Sequence, residues 1–409
     1  MILKFIYFSA PFLLCALLAI SNSVAGAGID PHATAETKHL YQTLKTYTHN
    51  PSKIMFGHHL ATLEGCSGGH PPYTLGTVHN GHHSWKFSDS QRLSRSDDEL
   101  CDIKEVTGQY PSVVSFDLRD LNRNYLLTIA WLIRKAYERG LIITLSWHQH
   151  NPVSGTSAYV RDHSGESIQH IIARILENGD LNAVYKKKLD TVADWLRNVT
   201  DSNGRQIPIL FRPYHEMNGG WFWWGTNHAT SNKAADFKHL FQYTVRYLRD
   251  SKQIHNLLYA FSPSKPSSLR DYYHFYPGDG YVDLVGIDYY YTRPFSPNTD
   301  SFLTSVRVVT EVAAAHDKLA AITEVGIQNN GIEKHHNFWM DHVLSPLKSG
   351  NGTTKVAYML TWTNNCLNGY TIFVPYHRHA AASKFRKFQN DSVMVFGPVM
   401  HNTNEMIVG

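Results

Sequence analysis

The stretch FRPYHEMNGGWFWWG, residues 211–225, is the most informative part of this 409-residue sequence. It continues an apolar run that begins at Ile207, and Glu216 stands where that run gives way to a glycine-flanked turn with three Trp within four residues. A carboxylate and several indoles beside charged residues are poorly suited to burial in a core. The stretch therefore predicts a strand that ends in a functional carboxylate. The alternative is a Trp-rich core with Glu216 in an ion pair.

Working outward, seven similar runs complete a regular pattern along the chain. Near-continuous apolar runs are typical of strands that are covered on both faces of a parallel sheet. The eight predicted strands are Lys53–His59, Ser112–Leu118, Leu141–His148, Ile207–Glu216, Leu257–Ser262, Val282–Tyr290, Ala320–Gly326 and Val356–Trp362. Amphipathic stretches between them predict helices over Leu121–Arg139, Ile168–Arg197, Ala234–Asp250, Phe302–Asp317 and Lys334–Lys348.

Eight strands that alternate with helices predict an α/β fold, a (β/α)8 TIM barrel. Its length allows one catalytic domain over residues 28–409, with a long insertion at about residues 60–110 after the first strand. A doubly wound open sheet is the alternative, although no glycine-rich phosphate turn follows the first strand.

The predicted strands end in polar or aromatic side chains. The carboxyl ends of barrel strands open onto one face, where active sites are built. These ends carry His58, His59, Asp117, Trp147, His148, His215, Glu216, Asp288, Tyr289, Tyr290, Glu324 and Trp362. Single polar residues there are common, but a set from so many strands predicts a cleft.

A second carboxylate is predicted to face Glu216 across this cleft. Glu324 lies in the apolar segment ITEVG, residues 322–326, where an acidic residue is costly to bury without a partner or a function. Glycoside cleavage uses two such carboxyl groups, one as acid and then base, the other as nucleophile. The pair therefore predicts a glycoside hydrolase, although Glu324 alone could be structural.

The residues around both carboxylates closely resemble glycoside hydrolase family 26, whose commonest members are endo-β-1,4-mannanases. The similarity lies in RPYHEMNGGWFWWG (212–225) and ITEVG (322–326), and it extends over most of the chain. The resemblance implies a (β/α)8 barrel that hydrolyses with retention of anomeric configuration. It makes Glu216 the acid/base and Glu324 the nucleophile.

The same resemblance implies roles for five further residues. His215 would hold the catalytic carboxylates in position, and Tyr290 would donate a hydrogen bond to the nucleophile. The substrate-binding residues it implies are His148, His215, Trp221, Tyr290 and Trp362. One position departs from the family, because some members carry a basic residue directly after the eighth-strand Trp, where this chain has Thr363.

We therefore expect an endo-acting, retaining β-1,4-mannanase that cuts internal bonds of mannan, glucomannan or galactomannan. The alternatives are the same mechanism on β-1,4-xylan or mixed-linkage β-1,3/1,4-glucan, and a non-catalytic glycan-binding barrel. We expect a monomer whose partner is the polysaccharide.

Composition excludes several other classes. With 43% hydrophobic residues the chain can bury a core, and a net charge of +4 does not indicate a nucleic-acid groove. No phosphate-binding motif indicates a nucleotide cofactor. The 25 His residues raise the alternative of a metal-binding protein, but no ligand spacing supports it. We expect neither cofactor nor metal.

Residues 1–27 resemble a secretory signal peptide. Lys4 is their only charge, an apolar run extends from Phe5 to Ile20, and Ala25-Gly26-Ala27 forms an A-x-A cleavage site. This predicts export to the extracellular space or the periplasm, with an uncleaved anchor as the alternative; no other membrane association is expected. Cleavage leaves three cysteines, of which Cys66 and Cys101 are predicted to form a disulfide, with Cys366 free.

Overall fold

Eight parallel strands form a closed barrel in the computed structural model, which describes residues 28–66, 73–76, 85–87, 100–162, 168–226, 228, 230–292, 299–367 and 370–400. In chain order they are β1 (Ile54–His59), β2 (Val113–Asp117), β3 (Ile142–Trp147), β4 (Ile209–Pro213), β5 (Leu257–Phe261), β6 (Leu284–Tyr291), β7 (Leu319–Ile327) and β8 (Tyr358–Thr361). The barrel closes because β1 pairs with β8, for example Met55 with Tyr358. The predicted (β/α)8 barrel is confirmed, and the open sheet is wrong.

Helices cover the outside of the barrel. The α-helices are Ala35–His49, Asp102–Thr107, Arg123–Glu138, Ile171–Ile175, Asn182–Arg197, Ala234–Arg246, Leu269–Phe275, Asp300–His316, Ser345–Ser349 and Ala382–Gln389. Short 3-10 helices span Val160–Asp162, Asp279–Tyr281 and Gly331–Glu333, and π-helical turns span Tyr247–Ser251 and Trp339–Leu344. A short strand, Met394–Val395, adds to β1.

Three predicted helices differ from the structure, and the one over Ala234–Asp250 ends in a π-helical turn that begins at Tyr247. The segment from Ile168 to Arg197 contains two helices, because Asn178 adopts a φ of 68° and a side chain at Gly179 would place its Cβ 2.0 Å from the carbonyl oxygen of Arg174. The segment from Lys334 to Lys348 is also irregular: it contains a π-helical turn before the short helix that begins at Ser345.

The barrel interior is filled by side chains from alternate strand positions. Leu210, Leu258, Ala260 and Leu284 belong to one buried cluster, together with residues of the helix Ala35–His49. Alternate residues of a strand point to the same face, so this cluster is the core inside the barrel. Residues that follow these core positions on the inner faces of the strands therefore line the carboxyl end of the barrel.

The insertion after β1 is described in part. Glu64–Gly65, Tyr73–Leu75 and Trp85–Phe87 form a small antiparallel sheet. A disulfide joins Cys66 to Cys366, and Cys101 is a buried free thiol. The predicted Cys66–Cys101 pair is therefore wrong. Because β1 and β8 are neighbours in the closed barrel, the segments that follow them meet, although 300 residues separate the two bonded cysteines.

The predicted signal peptide, residues 1–27, lies outside the described residues. Within the described ranges, no helix combines the length and the apolar character needed to cross a membrane.

Candidate active site

A cleft of about 630 Å³ opens at the carboxyl ends of the barrel strands. All seven residues predicted from the sequence line it: His148, His215, Glu216, Trp221, Tyr290, Glu324 and Trp362. They come from the ends of β3, β4, β6, β7 and β8 and from the segments that follow. Distant parts of the chain meet here because parallel strands of a barrel end on one face.

Glu216 lies in a tight turn three residues beyond β4. Its φ is 54°, in the left-handed region that non-glycine residues seldom adopt, and its backbone N–H donates to the carbonyl of Ser262 at 2.9 Å. The indole N–H of Trp221 donates to Oε2 of Glu216, also at 2.9 Å. A Cβ at Gly219 would lie 2.4 Å from the Trp221 ring, so the glycine lets the indole fold back over the turn.

Glu324 is buried on β7 and is held at both oxygens. The Tyr290 hydroxyl donates to Oε2 at 2.6 Å, and the Arg212 guanidinium contacts Oε1. The pairing of β7 with β6 shifts register between Ile322 and Glu324. Such a bulge changes the direction in which side chains point. As a result, the neighbouring residues Thr323 and Glu324 both contact residues on the inner face of the barrel.

Arg212 joins two carboxylates beneath the cleft. It lies on the inner face of β4, is almost wholly buried, and donates to Asp288 at 2.9 Å as well as to Glu324. Asp288 also accepts hydrogen bonds from Thr323 at 2.7 Å and Ser262 at 3.3 Å. A buried charge is tolerated when it is paired and hydrogen-bonded, as here.

The two candidate carboxylates are held in different electrostatic environments. Burial raises the pKa of Glu216 well above its usual range, and the negative charges of Asp288 and Glu324 raise it further. The charge of Arg212 and the Trp221 hydrogen bond oppose that rise but do not cancel it. Burial likewise raises the pKa of Asp288 to about 8, although Arg212 opposes it. Glu216 is therefore biased toward its protonated form, while Glu324 has a cation and a hydroxyl donor directed at its oxygens.

His148 is fixed in the cleft by Asp117, at the end of β2. Its Nδ1–H donates to Oδ2 of Asp117 at 2.7 Å, and its backbone N–H donates to Oδ1 at 2.9 Å. Burial by itself would raise the pKa of Asp117, but the contacts with His148 lower that pKa to about 2. The ring of His148 also meets His215 edge-on at 4.5 Å between centroids. These contacts fix the orientation of a ring that lines the cleft.

Trp362 forms a rigid wall of the cleft directly after β8. The ring of His59 stacks on it with centroids 3.8 Å apart and planes 7° from parallel. His59 is itself fixed by Ser115, 2.9 Å from its Nδ1. The next residue, Thr363, donates to Oε1 of Glu64 at 3.0 Å. The position where some family members carry a basic side chain is therefore buried here against an acidic one.

Several cleft residues were not predicted from the sequence. They are Tyr159, Phe222, Ser264, Lys265, Thr292, Gln328 and Phe373, together with the supporting Arg212. Lys265 has a φ of 43° and its ammonium lies 5.2 Å from the centre of the Tyr289 ring. Its position four residues after β5 was the available signal, because Ser264 and Lys265 follow the predicted strand end.

Among the residues that the structure describes, no three His, Cys, Asp or Glu side chains are grouped so that they could hold a metal ion.

Comparison with known proteins identifies the family. The profile of glycosyl hydrolase family 26 matches residues 29–363, which is most of the sequence. The chain belongs to this family. Among curated relatives, the mannan endo-1,4-β-mannosidase of Bifidobacterium adolescentis is 32% identical over 360 residues, and that of Bacillus subtilis strain 168 is 26% identical over 273. These alignments cover 82% and 64% of this chain.

The chain spans different shares of these two relatives. It spans 32% of the Bifidobacterium protein and 68% of the Bacillus protein. Solved structures match more evenly. The catalytic domain of the Bacillus sp. JAMB-750 family 26 endo-β-1,4-mannanase superposes with a TM-score of 0.74 at 29% identity, covering 90% of this chain and 93% of that one. The modular endo-β-1,4-mannanase of Cellulomonas fimi has the same TM-score at 30% identity, covering 90% and 77%.

Proposed function

We propose that this chain is an endo-acting, retaining β-1,4-mannanase in which Glu216 is the acid/base and Glu324 the nucleophile. The observation that carries the proposal is that both carboxyl groups line one cleft in opposite environments. Burial and two negative neighbours favour the protonated form of Glu216, whereas Arg212 and Tyr290 both contact the carboxylate of Glu324. This difference is what the first step of retaining hydrolysis requires.

In the first step, an oxygen of Glu324 attacks the anomeric carbon while the bond to the leaving sugar breaks. Glu216 transfers its proton to the departing oxygen, so the leaving sugar departs as a neutral alcohol. Glu324 becomes an ester and loses its charge. Arg212 and Tyr290 hold the attacking carboxylate in one orientation and limit the loss of rotational freedom at the reacting atoms.

In the second step, Glu216 acts as a base. The ester at Glu324 no longer raises the pKa of Glu216 by repulsion, so Glu216 retains less affinity for a proton. It takes a proton from water, which attacks the anomeric carbon and releases Glu324 as a carboxylate. Two inversions at one carbon retain the configuration.

The other predicted residues are proposed to bind the sugar at the cleavage point. Trp362 offers an apolar face to a pyranose ring, and its stacking on His59 keeps that face in one plane. His148 presents Nε2 because Asp117 engages Nδ1. Trp221 is 41% exposed while its nitrogen bonds to Glu216, so its ring edge is available beside the acid/base. His215, the buried neighbour of Glu216 in the chain, is proposed to act as a positioning residue.

We propose mannan, glucomannan or galactomannan as the substrate. The relatives support this choice, because the curated proteins quoted above are mannan endo-1,4-β-mannosidases and the quoted solved structures are endo-β-1,4-mannanases. Family membership accounts for the two catalytic carboxylates. The contacts around them determine which sugar is bound.

We further propose that the protein is exported and acts as a monomer. The composition of residues 1–27 supports export, and so does the Cys66–Cys366 disulfide, since such bonds persist mainly in oxidising compartments.

The test is release of reducing sugar by the chain from mannan, xylan and mixed-linkage β-glucan in parallel, with Glu324→Ala as the inactive control. We expect release from mannan and none from the control. Release from xylan or β-glucan instead would keep the carboxylate mechanism and overturn the substrate. Activity of Glu324→Ala on mannan would contradict the assigned nucleophile.

A further inference from the structure

A cluster of three buried hydroxyl groups lies at the turn that follows β4. Tyr214 contributes one, and the other two come from helices outside the barrel: Tyr185 from Asn182–Arg197 and Thr244 from Ala234–Arg246. The Tyr214 hydroxyl lies 2.8 Å from Oγ1 of Thr244, which lies 3.2 Å from the Tyr185 hydroxyl, and the two phenols also contact each other. We call these three residues the hydroxyl cluster.

The hydroxyl cluster is separate from the cleft. All three side chains are fully buried, and none of the three lines the cleft. Burial raises the pKa of Tyr214 to about 12, although its hydrogen bonds with Thr244 and Tyr185 oppose that rise. The phenol therefore stays neutral near neutral pH, so it can both donate and accept a hydrogen bond. Three neutral hydroxyl groups, each with one proton, can satisfy one another in this way.

The turn depends on such support because its backbone adopts unfavourable conformations. Tyr214 and Glu216 both have a φ of 54°, in the left-handed region that non-glycine residues seldom adopt. These conformations cost free energy and persist only where the surrounding structure holds them. Two of them lie within three residues here. A change in the contacts of the turn is therefore expected to alter the direction of the Glu216 side chain.

Three successive residues of the turn are held by different contacts. The carbonyl of His215 accepts a hydrogen bond from the Trp224 indole at 2.9 Å, and the N–H of Glu216 donates to the carbonyl of Ser262, also at 2.9 Å. Both of these contacts hold backbone atoms. Tyr214 is held through its side chain, by the hydroxyl cluster. Loss of the cluster would release the start of the turn while the other two contacts remain.

We propose that Tyr185 and Thr244 are positioning residues for the acid/base, and that they act through the Tyr214 hydroxyl to hold the turn that presents Glu216. The inference rests on the proposed function, because it concerns how one of the two catalytic carboxyl groups is placed. Loss of a cluster hydroxyl should impair proton transfer to the leaving sugar more than attack by Glu324, which lies on β7.

The test compares Tyr214→Phe with the unchanged chain on two substrates. On mannan, whose leaving sugar needs a proton, we expect kcat/KM to fall about tenfold, which is part of the contribution that a well-placed general acid makes. On an aryl β-mannobioside with a good leaving group, we expect a change of less than about twofold. The reason is that kcat/KM covers only the steps up to the ester, and these then need no acid. A purely structural role would lower both values alike.

Tyr243→Phe is the matched control. Tyr243 is buried directly before Thr244, and its hydroxyl accepts a hydrogen bond from Asn182 at 3.1 Å, so it joins the same two helices without a hydrogen bond to Tyr214. We expect it to leave kcat/KM unchanged on both substrates.

A second pair of variants decides the matter if thermal unfolding shows that Tyr214→Phe does not fold. Thr244→Val removes a cluster hydroxyl and should reproduce the selective loss on mannan. Thr244→Ser keeps that hydroxyl and should retain the kcat/KM of the unchanged chain. Equal values for the two variants would overturn the proposal.

The indole of Trp221 provides a readout that does not depend on turnover. Its N–H donates to Oε2 of Glu216 at 2.9 Å, so its nitrogen–proton NMR signal reports where that carboxyl group lies. Trp221→Phe assigns the signal, and Glu216→Ala gives its position without the hydrogen bond. We expect Tyr214→Phe to move the signal toward that position and Tyr243→Phe to leave it unchanged.

The possible outcomes separate the two proposals. Hydrolysis by the unchanged chain, with Tyr214→Phe losses that are equal on both substrates or absent, would overturn the positioning role alone. No hydrolysis by the unchanged chain would contradict the proposed function, and the indole signal would then decide on the positioning role. A shift in Tyr214→Phe but not in Tyr243→Phe would support it, and equal or absent shifts would overturn it.

Discussion

The hydroxyl of Tyr290 donates a 2.6 Å hydrogen bond to Oε2 of Glu324. Tyr290 and Asp288 lie on the same face of β6, since alternate residues of a strand point the same way, and Asp288 pairs in register with Glu324. The tyrosine and the carboxylate are therefore held together by the backbones of two adjacent barrel strands. A hydrogen bond on such a framework is directed at the carboxylate before substrate arrives.

Tyr290→Phe is expected to lower kcat roughly 10- to 100-fold with little change in KM, because the lost donor stabilises a charged group during reaction. Steady-state kinetics on mannan measure this. Tyr291→Phe is the matched control, since its hydroxyl donates to the carbonyl of His342 on the opposite face of β6. Equal losses in the two variants would contradict a specific role for Tyr290.

The two carboxylates are expected to respond differently to a change of leaving group. Glu216→Ala should lose about 10²- to 10⁴-fold on mannan but much less on an aryl glycoside whose leaving group needs no proton. Azide should rescue Glu216→Ala and yield a glycosyl azide of retained configuration, because it attacks the intermediate without a base. Glu324→Ala should be inactive on both substrates.

Glu311→Ala, exposed on the helix Asp300–His316, controls for general effects of removing a carboxylate. Recovery of Glu324→Ala on the aryl glycoside, with none for Glu216→Ala, would reverse the two roles.

Trp221→Phe is expected to move the alkaline limb of the kcat/KM profile to higher pH. The indole N–H donates to Glu216 and so favours its ionised form, which lowers its pKa relative to a site without that donor. Loss of the donor raises the pKa of Glu216, and the acid therefore stays protonated to higher pH. A pH series on mannan measures the shift. An alkaline limb that moves to lower pH would contradict Glu216 as the group that titrates there.

Reduction of the Cys66–Cys366 disulfide is expected to destabilise the fold. The bond closes a loop of 300 residues, and a constraint of that size on the unfolded chain contributes about 5–6 kcal/mol in the chain-entropy model. Thermal unfolding with and without reductant should show a lower Tm when the bond is open. A Cys66→Ser/Cys366→Ser variant should have that lower Tm without reductant, whereas Cys101→Ala should keep its response to reductant. A Tm unaffected by reductant in the unchanged chain would contradict this contribution.

The local sequence determined the barrel strands and the residues at their ends. Every predicted strand overlaps its observed counterpart, because burial on both faces imposes continuous apolar runs that can be recognised without tertiary contacts. The main shift is at β4, which ends at Pro213 although apolar character continues, because Tyr214 and Glu216 both adopt left-handed φ values. Knowing that the barrel strands end on one face was enough to place Glu216 and Glu324 in one cleft.

Other features depended on contacts between distant parts of the chain. The sequence favoured a disulfide from Cys66 to Cys101 by proximity, whereas closure of β1 against β8 brings Cys66 to Cys366. Arg212 looked like an ordinary residue beside Glu216, and only the barrel interior shows that it joins Glu324 to Asp288.

Sequence by itself therefore determined the fold class and the strand-end residues of the candidate cleft, because strand burial and strand-end chemistry are local properties, and the family resemblance added Trp221. Tertiary structure alone decided the protonation bias of Glu216 and the cation shared by Asp288 and Glu324. Those features arise from burial and from charges that are far apart in the chain, and their energies depend on distances that no single segment contains.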